Sequence, residues 1–380
     1  MKKLIFVFYV LSPLILFSQT QFEVGGYFQN LQTLWQQKNL NEYWMNGTTV
    51  NRINFSMYYG ENLTFNLGLR NIADYGNFNS RIPGYSASLT KDVGLFDLSK
   101  LWTSETSYAI YSQIDRLNIF YTNGNFEFQI GRQRVNLGIN MVWTPNDIFN
   151  SASYLNFSYF EKRGSDAVRA QYYFGYASSF EIVYSLNLDK DPTYAGILHL
   201  NKWDYDFQFF AGRMINDYVL GFGYAGDISG AGFYGEATYF RDKNNFTDTT
   251  GVLIAAVSTN YTFENSLFVH FEFLYNSAGA TENIRWNGSL FSNEYNAKNL
   301  SPSKYSLFGE ISYPLTPLVK IDFSSIYNPL DNSFYLSPNV NFSLSDNAEL
   351  LLLGQFFVGK NNTEWGNFGS FYYAQFKWSF

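Results

Sequence analysis

The chain has 380 residues, with 25 Lys and Arg against 32 Asp and Glu for a formal net charge of -7, and is 21% aromatic but only 15% charged. No basic face emerges that could neutralise phosphates, which excludes nucleic acid as a partner. The lack of cysteine excludes a disulfide framework and thiolate metal sites, and no Pro/Ser-rich linker or charge block divides the chain, so it reads as one domain.

Lys2 and Lys3 precede an apolar run from Leu4 to Phe17, and Ser18 leads into polar Gln19, Thr20 and Gln21. This is the charged, apolar and small-residue order of a secretory signal peptide, so the expected division is a leader over 1–18 and a single domain over 19–380. No other run of about 18 apolar residues follows, so a membrane-embedded mature chain has to be a closed barrel.

The remaining chain alternates with period two, the signature of strands with one apolar and one polar face. The first strand is expected over Phe22–Leu34. The second, Val50–Tyr59, sets Ile53, Phe55, Met57 and Tyr59 against Arg52, Asn54, Ser56 and Tyr58. After a turn at Gly60–Asn62 the third sets Leu63, Phe65, Leu67 and Leu69 against Asn66, Gly68 and Arg70, and a long excursion, Asn71–Glu105, follows. Strands four (Tyr108–Tyr121) and five (Phe126–Leu137) meet at Asn123-Gly124, a strong hairpin signal. A second long loop spans Gly138–Gly164. Strands six (Ala167–Phe174) and seven (Phe180–Leu188) join at Gly175–Ser178, and later pairs meet at Trp203–Tyr205, Gly226–Gly230, Glu264–Ser266, Pro314–Pro317 and Ser345–Asn347. The last strand, Phe371–Phe380, places Tyr372, Ala374, Phe376, Trp378 and Phe380 on one face and Tyr373, Gln375, Lys377 and Ser379 on the other.

The count is about eighteen strands, with sixteen as the alternative. Short turns alternate with connections that include all the long ones, and such sorting to two rims is the grammar of a transmembrane antiparallel β-barrel whose apolar face meets lipid and whose polar face lines the interior. Both termini then lie on the short-turn, periplasmic side.

On the fifth strand, Phe126, Phe128 and Ile130 share one parity while Val135 and Leu137 share the other, which predicts a one-residue bulge at Gly131. That bulge would turn Arg132 and Arg134 inward, sparing roughly 2 to 4 kcal/mol for each arginine held at mid-membrane. Phase puts Arg169, Arg52, Arg70 and Arg116 on the same interior wall, while Glu181, Asp206, Glu236, Glu272, Glu310, Asp322 and Glu349 face inward on later strands. Opposed basic and acidic walls would set a transverse field across a pore for small polar or anionic solutes. The same charges could instead pair in a filled lumen.

Gly131-Arg132-Gln133-Arg134 with Asn136 and Gly138, then Trp143, Pro145, Asp147, Phe149 and Asn150, then Lys162-Arg163-Gly164, resembles a strand-loop-strand block of porin-like barrels of Gram-negative bacteria, including the alginate-export type. The resemblance implies a passive outer-membrane channel of about eighteen strands with a lumenal arginine cluster. The closing strand resembles the assembly signal of such barrels, which implies that the insertion machinery reads Phe376, Trp378 and Phe380. The Gly138–Gly164 loop folds inward as a constriction or caps the barrel from outside, and the sequence leaves both open. Catalysis is poorly served by two histidines, His199 and His270, and no cofactor or metal site is expected. The expected partners are the lipid bilayer, the insertion machinery and small solutes, and the oligomeric state is not legible. The other reading is a non-conducting barrel that scaffolds secretion, adhesion or surface assembly.

Overall fold

The computed structural model describes residues 20–38, 42–157, 162–247, 250–286 and 295–380. The expected leader over 1–18 lies outside the described residues. Nineteen strands form one antiparallel sheet: β1 (Thr20–Gln36), β2 (Tyr43–Tyr59), β3 (Leu63–Gly76), β4 (Ser99–Ser104), β5 (Tyr108–Asn123), β6 (Phe126–Gln133), β7 (Ser165–Tyr173), β8 (Ser179–Leu186), β9 (Pro192–Lys202), β10 (Tyr205–Met214), β11 (Asp217–Ile228), β12 (Ala231–Asp242), β13 (Val252–Thr262), β14 (Phe268–Asn276), β15 (Tyr305–Thr316), β16 (Val319–Asn328), β17 (Ser333–Ser345), β18 (Ala348–Val358) and β19 (Ser370–Ser379). Apart from β4, each strand pairs with its neighbours around the ring, and β19 returns to β1, where Tyr27 faces Ser379 and Gln36 faces Ser370. Backbone bonds between Gly26 and Phe380 run both ways, at 2.9 and 3.0 Å, and finish the seam. The ring has eighteen strands because β4 lies outside the sequential order: β5 pairs directly with β3, and β4 only lines the upper part of β5.

The alternation behaves as the period-two pattern requires. On β19, Phe376 and Trp378 are 38% and 44% exposed on the outer face while inward Gln375 is 3% exposed. The same outer face carries Ile182 and Tyr184 on β8, Leu220 on β11 and Phe271 on β14. An apolar exterior around a polar interior suits lipid outside and water or polar packing inside. The Asn123-Gly124 turn forms as its chemistry dictates, with Gly124 at φ 58°.

Several boundaries differ from the sequence reading. β2 starts at Tyr43 and β3 runs on to Gly76, so their hairpin with β1 rises well above the expected ends. The Asn71–Glu105 excursion contains two five-residue helices, Asn77–Arg81 and Tyr85–Leu89, and the strand β4. β6 stops at Gln133, four residues early, because Val135 and Leu137 have left the sheet and pack inside the barrel.

These differences leave a step in the wall. The β5–β6 ladder ends at Leu117 opposite Arg132, leaving the upper edge of β5 without a barrel neighbour on that side. A strap, residues 92–104, covers it: β4 pairs with Ala109–Gln113, and Gly94 bridges to Asn187 beyond β8.

Candidate pore constriction

The connection from β6 to β7 folds into the barrel, which settles the choice the sequence left open. Two residues before the strand ends, Gly131 holds a backbone that only glycine fits: its φ is 114°, and a Cβ there would lie 2.2 Å from the Leu117 carbonyl oxygen. Val135, Leu137, Val142, Trp143, Ile148 and Leu155 then bury themselves against Phe210, Leu274, Phe308, Tyr335, Phe371 and Tyr373 of the wall.

Two wall carboxylates hold the loop by its backbone. Glu236 on β12 accepts hydrogen bonds from the amides of Ile139, of Asn140 at 2.5 Å and of Asn146 at 2.9 Å. Glu272 on β14 accepts from Trp143 at 2.7 Å and Val142 at 3.2 Å. The Asn146 side chain donates to the Phe222 carbonyl at 3.0 Å and accepts from the Thr238 hydroxyl at 2.7 Å. Gln355 on β18 donates to the Leu155 carbonyl at 3.0 Å. The loop thus leaves one wall and is tied to the wall facing it.

Basic side chains gather where the loop leaves and re-enters the sheet. Arg134 bonds Asn136 at 2.9 Å, and Arg116 donates to the Lys162 carbonyl at 2.7 Å. Burial, then the charge of Arg134, holds the Lys162 ammonium below the usual lysine range. Between them Asp147 is fully enclosed in the loop, and burial pushes its carboxyl up to about 6 against the pull of Lys162 and Arg134. Arg52 and Arg70 face each other across β2 and β3, and Arg52 pairs with Asp115 at 2.6 Å. Lower on the wall, Arg169 reaches Glu181 at 2.6 Å and Gln171 at 2.6 Å, with His199 3.5 Å from the same glutamate.

The bulge sits on a different strand from the one expected. β6 keeps an unbroken register with both β5 and β7, whereas β5 shifts register opposite Gly68 and Leu69, so that Asp115 and Arg116 both turn inward. Arg132 therefore stays on the parity of Ile130 and does not reach the lumen. It is 3% exposed, with its guanidinium bonded to Asp92 at 2.6 Å, to Asp166 at 2.8 and 2.9 Å, and to the carbonyls of Phe96 and Ile114 at 2.6 and 3.1 Å. Arginine and strap lock each other in the wall.

The acidic wall also differs from the expectation. Glu236 and Glu272 are buried loop anchors rather than free lining charges, and Glu181 is matched by Arg169. His270 is enclosed between Glu272 at 3.6 Å and Glu310 at 3.8 Å with Phe308 against its ring, out of reach of a lumenal substrate. Opposed walls are thus partly neutralised locally. Asp115, which pairs with Arg52 on the inner face, and Asp92 and Asp166, which hold Arg132 in the wall, were missed in the sequence. Only Asp166 left a trace, as a charge on the outward parity of Val168 and Ala170.

No family model and no curated protein matches the sequence of this chain. Solved structures do match its fold. OccAB3 of Acinetobacter baumannii superposes with a TM-score of 0.61 at 10% identity, covering 95% of this chain and 99% of that one. OccD3 of Pseudomonas aeruginosa gives 0.56 at 8% identity over 94% and 91% of the two chains. The outer membrane protein OprD of Pseudomonas aeruginosa gives 0.58 at 7% identity over 94% and 93%. At such identities the likeness is one of fold, and it extends over nearly the whole length of each chain: this is a closed eighteen-strand antiparallel barrel built like theirs.

Proposed function

We propose that the chain is an outer-membrane, porin-like channel for passive diffusion of small polar or anionic solutes. Its short turns and termini would lie in the periplasm and its long loops outside. The observation that carries this reading is the inward loop, tied to the facing wall by Glu236 and Glu272, with Arg134 and Lys162 at its root. A loop anchored in this way narrows the lumen, and the basic side chains at its root stand on the β2–β8 side.

A small anion entering there exchanges part of its hydration shell for arginine and lysine donors, and the local positive potential raises its concentration in the throat. Arg116, Arg169, Arg52 and Arg70 extend that side along the wall, with Asp115 and Glu181 moderating the charge.

Single-channel recording in a planar bilayer tests the reading. Under a salt gradient the native barrel should conduct with anion preference, and Arg134→Ala with Lys162→Ala should lower that preference several-fold while conductance persists. A folded, inserted barrel that passes no current would overturn the channel reading and favour a scaffold for secretion, adhesion or surface assembly.

A further inference from the structure

Two arginines stand on the outward face. Arg213 of β10 follows the parity of exposed Phe209, and Arg241 of β12 that of exposed Tyr239. They belong to one row across the sheet, in which Tyr184 pairs with Tyr194, Tyr194 with Arg213, Arg213 with Tyr218, and Tyr218 with Arg241. The row lies at the long-loop rim, where a tyrosine belt is expected at the membrane-water boundary. With one strand between them, the two arginine Cα atoms are about 10 Å apart, within reach of one small anion held by both long side chains.

Both guanidiniums are steadied from the loop side. Arg213 donates to the Ile215 carbonyl at 2.7 Å. Arg241 donates to the Phe246 carbonyl at 2.7 Å and lies 5.2 Å over the Phe246 ring. Among the described residues neither has a carboxylate at ion-pair distance, and these bonds leave guanidinium donors on each for an external anion.

Directly below, one outward position down each strand, the wall is recessed. A trough of about 440 Å³ is floored by Gly196, Ala211 and Ala237 and flanked by Phe209, Leu220 and Tyr239. Gly196, Ala211, Leu220 and Tyr239 form the row next to the arginines, about 6 to 7 Å along the strands. A cationic pair above an apolar recess has the polarity of a lipid with an anionic head and a hydrocarbon tail.

We propose that this face of β9–β13 binds one phosphomonoester-headed lipid of the outer leaflet, its phosphate between Arg213 and Arg241 and an acyl chain in the trough. The inference rests on the outward face lying in lipid and is independent of conduction. It is tested on the whole barrel purified in detergent, by native mass spectrometry and titration with dioleoyl phosphatidic acid. Dioleoylglycerol serves as the tail-only probe and inorganic phosphate as the head-only probe.

Arg213→Gln with Arg241→Gln should weaken phosphatidic acid binding about thirty-fold, the combined effect of two surface arginines on an anionic head. Arg213→Lys with Arg241→Lys should restore part of it, and Ala211→Trp should weaken it by filling the recess with both arginines intact. Heat-modifiable electrophoretic migration verifies that each variant keeps its closed barrel. Equal phosphatidic acid binding by the glutamine variant, or dioleoylglycerol binding as tight as that of phosphatidic acid, would overturn the proposal. Inorganic phosphate binding as tightly as the lipid would replace it with a simple ion site.

Discussion

Arg132 uses all five of its N–H donors within the wall, on Asp92, Asp166 and two backbone carbonyls. Removing it strands two buried carboxylates, a change that typically costs about 3–5 kcal/mol. Arg132→Ala should therefore lower the thermal midpoint of barrel unfolding in detergent well below that of Arg134→Ala, and should expose the strap to protease. Arg132→Lys should rescue little, because an ammonium cannot reproduce the planar fork. Equal midpoints for the two alanine variants would show that the clamp contributes nothing. The sequence marked Arg132 as too costly to leave in lipid, and that physical argument was sound. It could not say which remedy the fold uses, because a bulge and a covering strap relieve the same cost, and Asp92 lies forty residues upstream in a stretch without periodicity.

The inward loop depends on two glutamates more than on its own structure, since among the described residues between Arg134 and Gly164 no helix or strand forms. Each carboxylate-to-amide bond contributes on the order of 1.5–3 kcal/mol, and an amide side chain keeps only one of two acceptor oxygens. Glu236→Gln with Glu272→Gln should loosen the loop, seen as larger and noisier single-channel conductance and faster tryptic cleavage near Lys162. Unchanged conductance and cleavage would mean that apolar packing alone holds it. The content of the loop was legible, since Trp143 and its apolar neighbours are out of place in a solvated excursion. Its direction was not, because the anchors lie about a hundred residues downstream and read only as inward carboxylates in an alternating pattern.

For the whole molecule, a closed ring of about eighteen strands, the sorting of turns and loops to two rims, and the face of almost every strand were readable from period-two alternation, because a one-residue slip would send every apolar side chain inward. β4 escaped because its six residues lie among Gly, Ser and Asp and alternate with nothing. Closure rests on β19, and Phe380 itself adds two backbone bonds to Gly26, together worth about 1 to 3 kcal/mol. Deleting Phe380 should leave refolding into detergent nearly intact but reduce the folded barrel recovered from cell membranes, if the terminal aromatic is what the insertion machinery reads. Equal recovery would remove the assembly role from Phe380.

The loop that departs from β6 and is fastened to β12 and β14 also crosses the ring like a strut. A hollow cylinder of strands flattens easily into an oval, since bending the sheet breaks no hydrogen bonds. A tie across the diameter resists that flattening by stretching rather than bending, so the cross-section should stay round under lateral pressure from the bilayer.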